Sequence, residues 1–382
     1  MPRIEEVAVA GVGTVASQRK PGPGVSTPGL LARALRTALE DAGIPASEVD
    51  GLGVGSFSLA PDRTIDLAWH LGLRLRWMME DVTTMNLVHH AVHAIRSGDA
   101  TTIAILGGDH LMGAGYGAMV DDYNRVTREH LAPLPTGGPN PLFALVTQEH
   151  MDRHGLSRED YGRVVISQRA FAGTNPYAAY REPLAIEEYL AAPVVSDPLT
   201  IFDCPPIVAG AEAIVLTAED RGPPGRRRVA IRAIASSFNH DQQAGDGLRT
   251  GLSQIADGLW RDGGVGPEDV DVAELYDDYP VIVLAQLEDL GLIRDGDASA
   301  ILRGPGRSRP GVNTGGGMLA AGQAGAAGGI QGFVEAVRQL RHERGDGQIA
   351  GARIAVVAGY AMVLYRYGAC SVGAVLEGLE AR

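Results

Sequence analysis

Histidines and cysteines are the side chains of this sequence that could hold a metal ion or act as nucleophiles. His89, His90 and His93 fall on consecutive turns of a predicted helix, and imidazoles four positions apart can share a metal ion. The sequence near them supplies no evident third ligand, so we predict no metal site. Cys204 stands in a proline-rich turn and is predicted to be a small buried residue, and Cys370 is the one other cysteine.

The chain that must position any such site is acidic and has the composition of an ordinary globular protein. Its 382 residues are 45% hydrophobic and 21% charged, a size typical of two or three domains. The formal net charge is −13 and the longest basic cluster is Arg226–Arg228, which disfavours nucleic-acid binding. Two cysteines are too few for a disulfide scaffold, and the N-terminus lacks a signal-peptide layout. We therefore predict that the protein is located in the reducing cytoplasm. No apolar run approaches the roughly 18 to 20 residues of a membrane span.

The first elements read as a strand followed by a helix. Val7 and Val9 are typical of a short buried strand. Thr27 is predicted as the N-cap of the next helix, with Pro28 in its first position, and Gly43 is predicted to end it. The alternation of strands and helices therefore predicts an α/β fold.

Two segments recur in the same order, which indicates an internal duplication. Residues 41–50, Asp-Ala-Gly-Ile-Pro-Ala-Ser-Glu-Val-Asp, are echoed 221 positions later by residues 262–271, Asp-Gly-Gly-Val-Gly-Pro-Glu-Asp-Val-Asp. The second echo pairs a helix end and the next strand, 93–97 with 103–108, with 335–339 and 354–359. So long a period means two copies of a whole α/β unit. We predict halves at 1–232 and 233–382, with an inserted loop subdomain at about 110–204 in the first half.

Several short motifs, in this order along the chain, resemble those of the thiolase superfamily. They are Asn175-Pro-Tyr-Ala-Ala, Cys204-Pro-Pro, Ala209-Gly-Ala-Glu-Ala, Glu274-Leu-Tyr-Asp-Asp-Tyr and Asn313-Thr-Gly-Gly-Gly. The chain is most similar to the lipid-transfer-protein and sterol-carrier thiolases, close to the steroid side-chain aldolases. The resemblance implies a five-layer αβαβα sandwich that dimerises through its first half, along the strand before His110 and the helix of His89–Ile95.

The resemblance also implies that the family's cysteine chemistry is missing. Asp81 is assigned to the place of the nucleophilic cysteine, and Gln323 to that of the histidine that activates it. Covalent thioester chemistry needs a thiolate and a nearby base, so acyl transfer is disfavoured. For Asp81, an N-cap role and a role in proton transfer stay open.

Tyrosines take the other expected catalytic places. Tyr276 stands at an oxyanion-hole position of the family, and a neighbouring carboxylate would raise its pKa, so it fits a hydrogen-bond donor better than a base. Tyr365 and Tyr367 occupy the loop of the family's second cysteine, and at most one of them should face the pocket, since they are two positions apart. For each tyrosine a packing role stays open. The expected substrate-binding residues are Gln323, His110, Asn313, Gly316 and Gly317.

The resemblance implies retro-aldol cleavage of a β-hydroxyacyl-CoA of the steroid side-chain type, without a tightly bound cofactor and with coenzyme A as part of the substrate. The alternatives are an acyltransferase or thiolase-type synthase with an unusual catalytic set, and a non-catalytic acyl-CoA or lipid-binding subunit. The expected partners are a second copy of the chain and a separate OB-fold protein with a zinc ribbon. An exposed patch on the second half is expected to receive that protein.

Overall fold

The structure is a computed structural model that describes residues 7–59, 63–123, 129, 138–218, 221–301, 310–363 and 366–381. Its main strands are β1 (Val7–Gln18), β2 (Gly51–Gly55), β3 (Trp77–Glu80), β4 (Thr102–Asp109), β7 (Ala209–Thr217), β8 (Arg228–Phe238), β9 (Val272–Leu275), β10 (Gly311–Val312), β11 (Ile354–Val363) and β12 (Gly368–Leu379). Two short strands, β5 (Val194–Ser196) and β6 (Leu199–Thr200), form a separate antiparallel pair.

The helices of the described residues include several that flank the sheet and several in the inserted segment. They are α1 (Thr27–Ala42), α2 (Arg63–His70), α3 (Thr84–Ser97), α4 (Ala114–Tyr123), α5 (Asn140–His154), α6 (Arg158–Ala172), α7 (Ile186–Leu190), α8 (Leu252–Gly263), α9 (Pro280–Asp289), α10 (Gly317–Ala321) and α11 (Gly328–Leu340). The four helices α4 to α7 lie within the predicted insertion. No helix among the described residues is both long and apolar enough to span a bilayer.

The ten main strands are ordered β10-β9-β11-β12-β8-β1-β7-β4-β2-β3, so the same five-strand pattern occurs twice. In each copy three neighbouring strands run parallel, namely β3, β2 and β4 in the first copy and β10, β9 and β11 in the second. Two more strands follow, each antiparallel to the strand before it: β7 and then β1 in the first copy, β12 and then β8 in the second. The two copies meet where β1 pairs with β8 over two residue pairs. The connectivity therefore repeats strand for strand.

Burial divides the chain into the five layers that the sequence predicted. One core contains α3 and α11 together with inward-facing residues of both five-strand groups. A second core packs α1 and α2 on the outer face of the first group, and a third packs α8 and α9 on the outer face of the second. The order of layers is helix, sheet, helix, sheet, helix.

The repeated turn has the same conformation in both copies. Gly43 after α1 has φ/ψ of 65°/28°, and Gly264 after α8 has 68°/29°. A 3₁₀ turn follows at Ala46–Glu48 and again at Pro267–Asp269. Such left-handed helix ends favour glycine, which is why both copies carry it. The domain boundaries drawn from the echo stay a prediction.

Two local expectations were wrong. The cap of α1 is Ser26, whose Oγ accepts the backbone N–H of Gly29, while Thr27 already lies in the helix. The expected dimer strand before His110 is β4, which is buried along its whole length between β2 and β7. With both of its edges paired, β4 has no free edge for strand pairing between subunits, while the homodimer itself stays a prediction.

Candidate active site

A cavity of about 430 Å³ opens at the carboxyl ends of the parallel strands, where α3 and α11 both begin. Crevices at such strand ends are the usual binding sites of α/β sheets. Residues from both halves and from the insertion line it. They are Phe57, Val82, Thr83, Met85, Tyr116, Gly117, Met119, Val120, Gly138, Pro139, Asn140, Cys204, Pro205, Ile207, Tyr276, Asp278, Tyr279, Gln323, Gly325, Ala326, Gly329, Gly359, Tyr360, Ala361 and Met362.

Three polar side chains of the wall bond to one another. The Tyr276 phenol donates to Asp278 Oδ2 at 2.8 Å, and Gln323 Nε2 donates to Asp278 Oδ1 at 2.7 Å. Gln323 Nε2 also lies 3.4 Å from the Tyr276 oxygen. Both carboxylate oxygens of Asp278 therefore accept a hydrogen bond, and the phenol, the amide and the carboxyl group form one connected network facing the cavity.

The backbone fixes where these side chains stand. Tyr276 follows directly after β9, where its N–H donates to the carbonyl of Ala358 in β11 at 3.0 Å. Gln323 is held by its own N–H to Pro206 at 3.0 Å and by its carbonyl, which accepts the Val208 N–H at 3.2 Å. Both residues are therefore anchored to strands or to the segment before β7 rather than to a free loop.

Burial raises the pKa of Asp278 to about 7, although hydrogen bonds from Tyr276 and Gln323 act in the opposite direction. A carboxyl group with a pKa near neutrality exists in both forms at physiological pH and can accept and return a proton efficiently. The position of Asp278 in the cavity wall makes this proton accessible to a bound molecule. Asp278 is thus the strongest candidate for a general base.

The adjacent aspartate has a different environment. Asp277 is buried, and its carboxyl group accepts the N–H groups of Met318 (2.8 Å) and Leu319 (3.1 Å) and Gln168 Nε2 (2.9 Å). Burial raises its pKa to about 8. It does not line the cavity. Asp277 therefore ties β9 to the start of α10 instead of facing a ligand.

An aromatic wall surrounds the polar network. The rings of Tyr279 and Phe143 are stacked with centroids 4.5 Å apart, and Tyr360 lies 6.3 Å from both Phe143 and Tyr276. The Tyr360 oxygen accepts the Gly368 N–H at 2.6 Å, and the Tyr279 phenol donates to Asn140 Oδ1 at 2.5 Å. The cavity is thus suited to an apolar group of some size next to a small polar centre.

Cys204 lines the cavity, which the sequence did not indicate. Its thiol donates to Asn140 Oδ1 at 3.8 Å. Burial raises its pKa to about 12, and the nearby charges of Asp203 and Asp278 add to the shift. The thiolate, which is the nucleophilic form, is therefore strongly disfavoured at neutral pH.

The start of α3 also departs from the expectation for Asp81. Asp81 Oδ1 accepts the Thr83 N–H at 2.8 Å, and its Oδ2 accepts Asn86 Nδ2 at 2.6 Å. The residues that the start of this helix presents to the cavity are Val82, Thr83 and Met85, and Asp81 is not among the lining residues. Its observed contacts are those of a local turn and helix-start residue.

The tyrosine loop near the C-terminus does not supply a cavity residue among its described members. Tyr367 is 1% exposed, and its phenol donates to Asp241 Oδ2 at 2.5 Å, away from the lining residues. Tyr365 lies outside the described residues. The tyrosines that line the cavity besides Tyr276 are instead Tyr116, Tyr279 and Tyr360.

The other predicted binding residues, apart from Gln323, lie off the cavity. Asn313 is buried, and its Oδ1 accepts the Leu275 N–H at 2.7 Å, which links β10 to β9. A Cβ on Gly316 would lie 2.6 Å from the Ala172 Cβ, and one on Gly317 would lie 2.1 Å from an oxygen of Asp277. These glycines give room to protein groups rather than to a thioester.

His110 is half-buried, and its N–H donates to Thr27 Oγ1 at 2.9 Å. It is not a lining residue of the cavity. The helical histidines bond elsewhere: His89 Nδ1 lies 2.6 Å from Ser236 Oγ, and His89 Nε2 lies 3.0 Å from His93 Nε2. Burial and the neighbouring His93 lower the pKa of His89 to about 4.

Three comparisons place these features among known proteins. A family model described as "Thiolase C-terminal domain-like" matches residues 233–370. The sequence is 29% identical to the 17-hydroxy-3-oxo-4-pregnene-20-carboxyl-CoA lyase of Mycobacterium tuberculosis, over 88% of this chain and 92% of that protein. It is 28% identical to the steroid side-chain-cleaving aldolase of Thermomonospora curvata, over 87% and 90%.

A third relative, the benzoylsuccinyl-CoA thiolase subunit BbsB of Thauera aromatica, is 31% identical over 60% of each chain. Among solved structures, the Ltp2–ChsH2(DUF35) aldolase matches with a TM-score of 0.82 and 24% identity, over 98% of each chain. At that identity the structural likeness shows the fold, with the five layers described above.

Proposed function

The chain belongs to the thiolase superfamily, in the branch of the sterol-carrier thiolases and steroid side-chain aldolases, and on that basis we propose that it cleaves a β-hydroxyacyl-CoA by a retro-aldol reaction. The observation that carries the proposal is the Tyr276–Asp278–Gln323 network in a cavity whose one cysteine has a strongly raised pKa. The network supplies groups that can transfer a proton, and the raised pKa of Cys204 disfavours an activated thiol. The two relatives named as a lyase and an aldolase support this choice.

In the proposed reaction Asp278 takes the proton of the substrate's β-hydroxyl group. The bond between the α- and β-carbons then breaks: its electrons form the enolate of the shorter acyl-CoA, and the β-carbon becomes the carbonyl carbon of a ketone. The Tyr276 phenol gives its proton to the α-carbon. It then regains a proton from Asp278, whose Oδ2 is hydrogen-bonded to the phenol oxygen at 2.8 Å. Atoms and charges balance without any co-reactant, and the enzyme returns to its starting state.

The enolate charge has stabilising groups nearby. α3 and α11 both begin at the cavity, and Thr83 and Gly329, at the starts of these helices, line it. Helix N-termini favour negative charge, and donors aimed at developing charge are typically worth about 10²- to 10³-fold in rate. The rings of Tyr279 and Tyr360 in the cavity wall, with Phe143 stacked against Tyr279, support an apolar, bulky acyl tail.

The test is product analysis. The purified chain should convert a β-hydroxyacyl-CoA with a bulky tail into one ketone and one shorter acyl-CoA, in equal amounts and without added coenzyme A. A variant with Asp278→Asn and Tyr276→Phe, checked for folding by circular dichroism, is the negative control. Products that appear only when free coenzyme A is added would reject retro-aldol cleavage.

One observation favours the acyltransferase alternative, namely that Cys204 lies in the cavity wall. An acyl-enzyme on Cys204 would be seen as a mass increase of the intact protein after incubation with an acyl-CoA. We expect none, because the thiol is held neutral and its observed partner, Asn140, is not a base.

The proposed assembly is a homodimer that binds a separate small protein. Two similar proteins support the second component, since the matched aldolase structure is named for Ltp2 together with ChsH2(DUF35), and BbsB is named as a subunit. For the homodimer we propose the face at β3, the edge strand, where Trp69 is 77% and Met78 52% exposed. Sizing of the chain alone and after co-expression with the product of an adjacent small reading frame tests both contacts.

The expected patch on the second half needs correction. Among the described residues, the large exposed hydrophobic side chains lie mainly in the first half, and Phe238 is the one beyond residue 232. Those of the insertion are Leu145, Tyr177, Val194, Val195 and Ile201. We therefore propose the insertion, which also contributes residues to the cavity, as the face for the second protein.

A further inference from the structure

A second cluster of ionisable side chains lies apart from the cavity. His150 and His154 stand on α5, and Glu288 stands in the last turn of α9. One ligand atom from each of the three side chains lies within 4.8 Å of the other two. None of the three lines the cavity, and the proposed reaction uses none of them.

The geometry of this cluster fits a metal ion. His150 and His154 are four residues apart and so project from one face of α5, and their ring centroids are 4.7 Å apart. His150 Nε2 lies 3.3 Å from Glu288 Oε1. Two ligands of a tetrahedral zinc ion, each at about 2.0 to 2.1 Å from the metal, are separated by roughly 3.3 to 3.4 Å. The His150–Glu288 distance matches this separation, and a ligand atom of His154 lies within 4.8 Å of both.

Neighbouring groups orient the two buried ligands. His150 is fully buried, and its other ring nitrogen, Nδ1, lies 2.7 Å from the Tyr161 oxygen. Glu288 Oε1 accepts the Gly296 N–H at 2.7 Å. Metal-binding histidines typically use their second nitrogen in such a bond, which sets the tautomer and the direction of the free lone pair. Nε2 of His150 faces Glu288 Oε1 at 3.3 Å, and a metal ion bound between the two side chains would replace that hydrogen bond.

Gly296 also provides the space for the third ligand. A Cβ at this position would lie 2.6 Å from His154 Nδ1, and its φ of +76° favours glycine. The turn after α9 therefore closes over the His154 ring and brings it to the same point as Glu288. His154 itself is half-buried, which leaves a route for an ion to enter.

We propose that His150, His154 and Glu288 form a zinc site that fastens α5 of the insertion to the end of α9. Two imidazoles and one carboxylate are a ligand set that zinc accepts, with a fourth position left for water. No metal site was predicted from the sequence, because only the histidines of α3 were considered as ligands. The histidines of α5 have their third ligand, Glu288, 134 positions beyond His154 in the chain. The zinc ion is a structural cofactor that takes no part in the proposed cleavage reaction.

The test is zinc binding by the chain produced without a histidine tag and stripped with EDTA. Titration with zinc against a chromophoric chelator should give one equivalent per chain, and zinc should raise the unfolding midpoint. His154→Ala, which changes a half-buried side chain, should weaken binding by more than about 100-fold. Tyr161→Phe should weaken it by about 10- to 100-fold, the usual effect of losing a bond to a ligand.

The matched control is His93→Ala, which removes one member of the other histidine pair of the same spacing, on α3. It should retain the full equivalent of zinc and the full rise in the unfolding midpoint. Circular dichroism of each stripped variant shows whether it is folded before zinc is added. Absence of a bound equivalent at micromolar zinc, or binding that survives His154→Ala and is lost in His93→Ala, would overturn the proposed site.

Discussion

Replacing Asp278 with asparagine should separate proton transfer from folding. Asparagine has nearly the same size, and its Oδ1 can still accept the Tyr276 phenol, while the Gln323 amide can rotate to present its oxygen to the new NH₂ group. The amide cannot act as a base. General-base catalysis typically contributes about 10²- to 10⁴-fold, so kcat should fall by that factor, which corresponds to about 2.7 to 5.4 kcal/mol in the activation barrier.

The pH dependence follows from the raised pKa of Asp278, about 7. The carboxylate is the active form, so activity should rise with pH through this value, and the rate constant kcat/KM at pH 6 should be about one tenth of that at pH 8. The same shift makes the ionised side chain unfavourable in the folded state, so the contribution of Asp278 to stability should fall as pH rises from about 4 to 7. Asp278→Asn should abolish the pH dependence of activity and weaken that of stability, to which Asp277 with its raised pKa still contributes, and its unfolding midpoint at pH 8 should equal or exceed that of the wild type.

Asp277→Asn is the matched control, since it makes the same change one residue earlier. Asp277 Oδ2 accepts the Leu319 N–H and Gln168 Nε2, and an NH₂ group there could accept neither. The Gln168 amide can rotate to present its oxygen, so the Leu319 N–H is the buried donor left unpaired, and the free energy of unfolding should fall by about 1 to 3 kcal/mol. Steady-state kinetics and thermal unfolding measure the two variants side by side. An Asp278→Asn variant that keeps more than a tenth of kcat, or the wild-type pH profile, would refute the assignment of the base.

Tyr276→Phe should lower kcat by about 10²-fold or more with the fold intact, because it removes a proton donor at the reacting centre. Steady-state kinetics on the soluble protein checks this, and an unchanged kcat would mean that Tyr276 has only a packing role. Gln323→Leu should raise the pKa seen on the acid side of the pH–activity profile, because Asp278 loses a hydrogen bond that stabilises its charged form. An unchanged pKa would contradict the hydrogen bond from Gln323 to Asp278. Tyr367→Phe should leave kcat within about threefold and lower the unfolding free energy by about 1 to 3 kcal/mol, since its phenol bonds to Asp241 outside the cavity.

The fold was largely predictable because it repeats. The echo of residues 41–50 at 262–271 reflects two helix ends that both need a left-handed glycine, at Gly43 and Gly264, before a 3₁₀ turn. Hydrophobic periodicity located β1 and α1, the echo located the end of α3 and β4, and the motif order indicated the five layers. The depth of β4 within the sheet was not predictable, since burial on both sides depends on which strands pair with it.

The site was predictable only in part. Tyr276 and Gln323 were identified because motifs mark their turns, and the structure brings both to the cavity wall. Asp278 was considered only as a neighbouring charge, although its spacing of two from Tyr276 at a strand end was a usable signal. Tyr360 carries no local signal, because its place in the wall depends on the parallel pairing of β11 with β9.

The most direct test of noncovalent cleavage is the activity of a chain without cysteine. The double variant Cys204→Ala and Cys370→Ala is incubated with a β-hydroxyacyl-CoA in the absence of free coenzyme A, and the released ketone is measured over time. With Tyr276 and Asp278 intact, the rate should stay within about tenfold of the wild type. A folded double variant that has lost more than that would contradict the account, because a thiol would then be part of the chemistry.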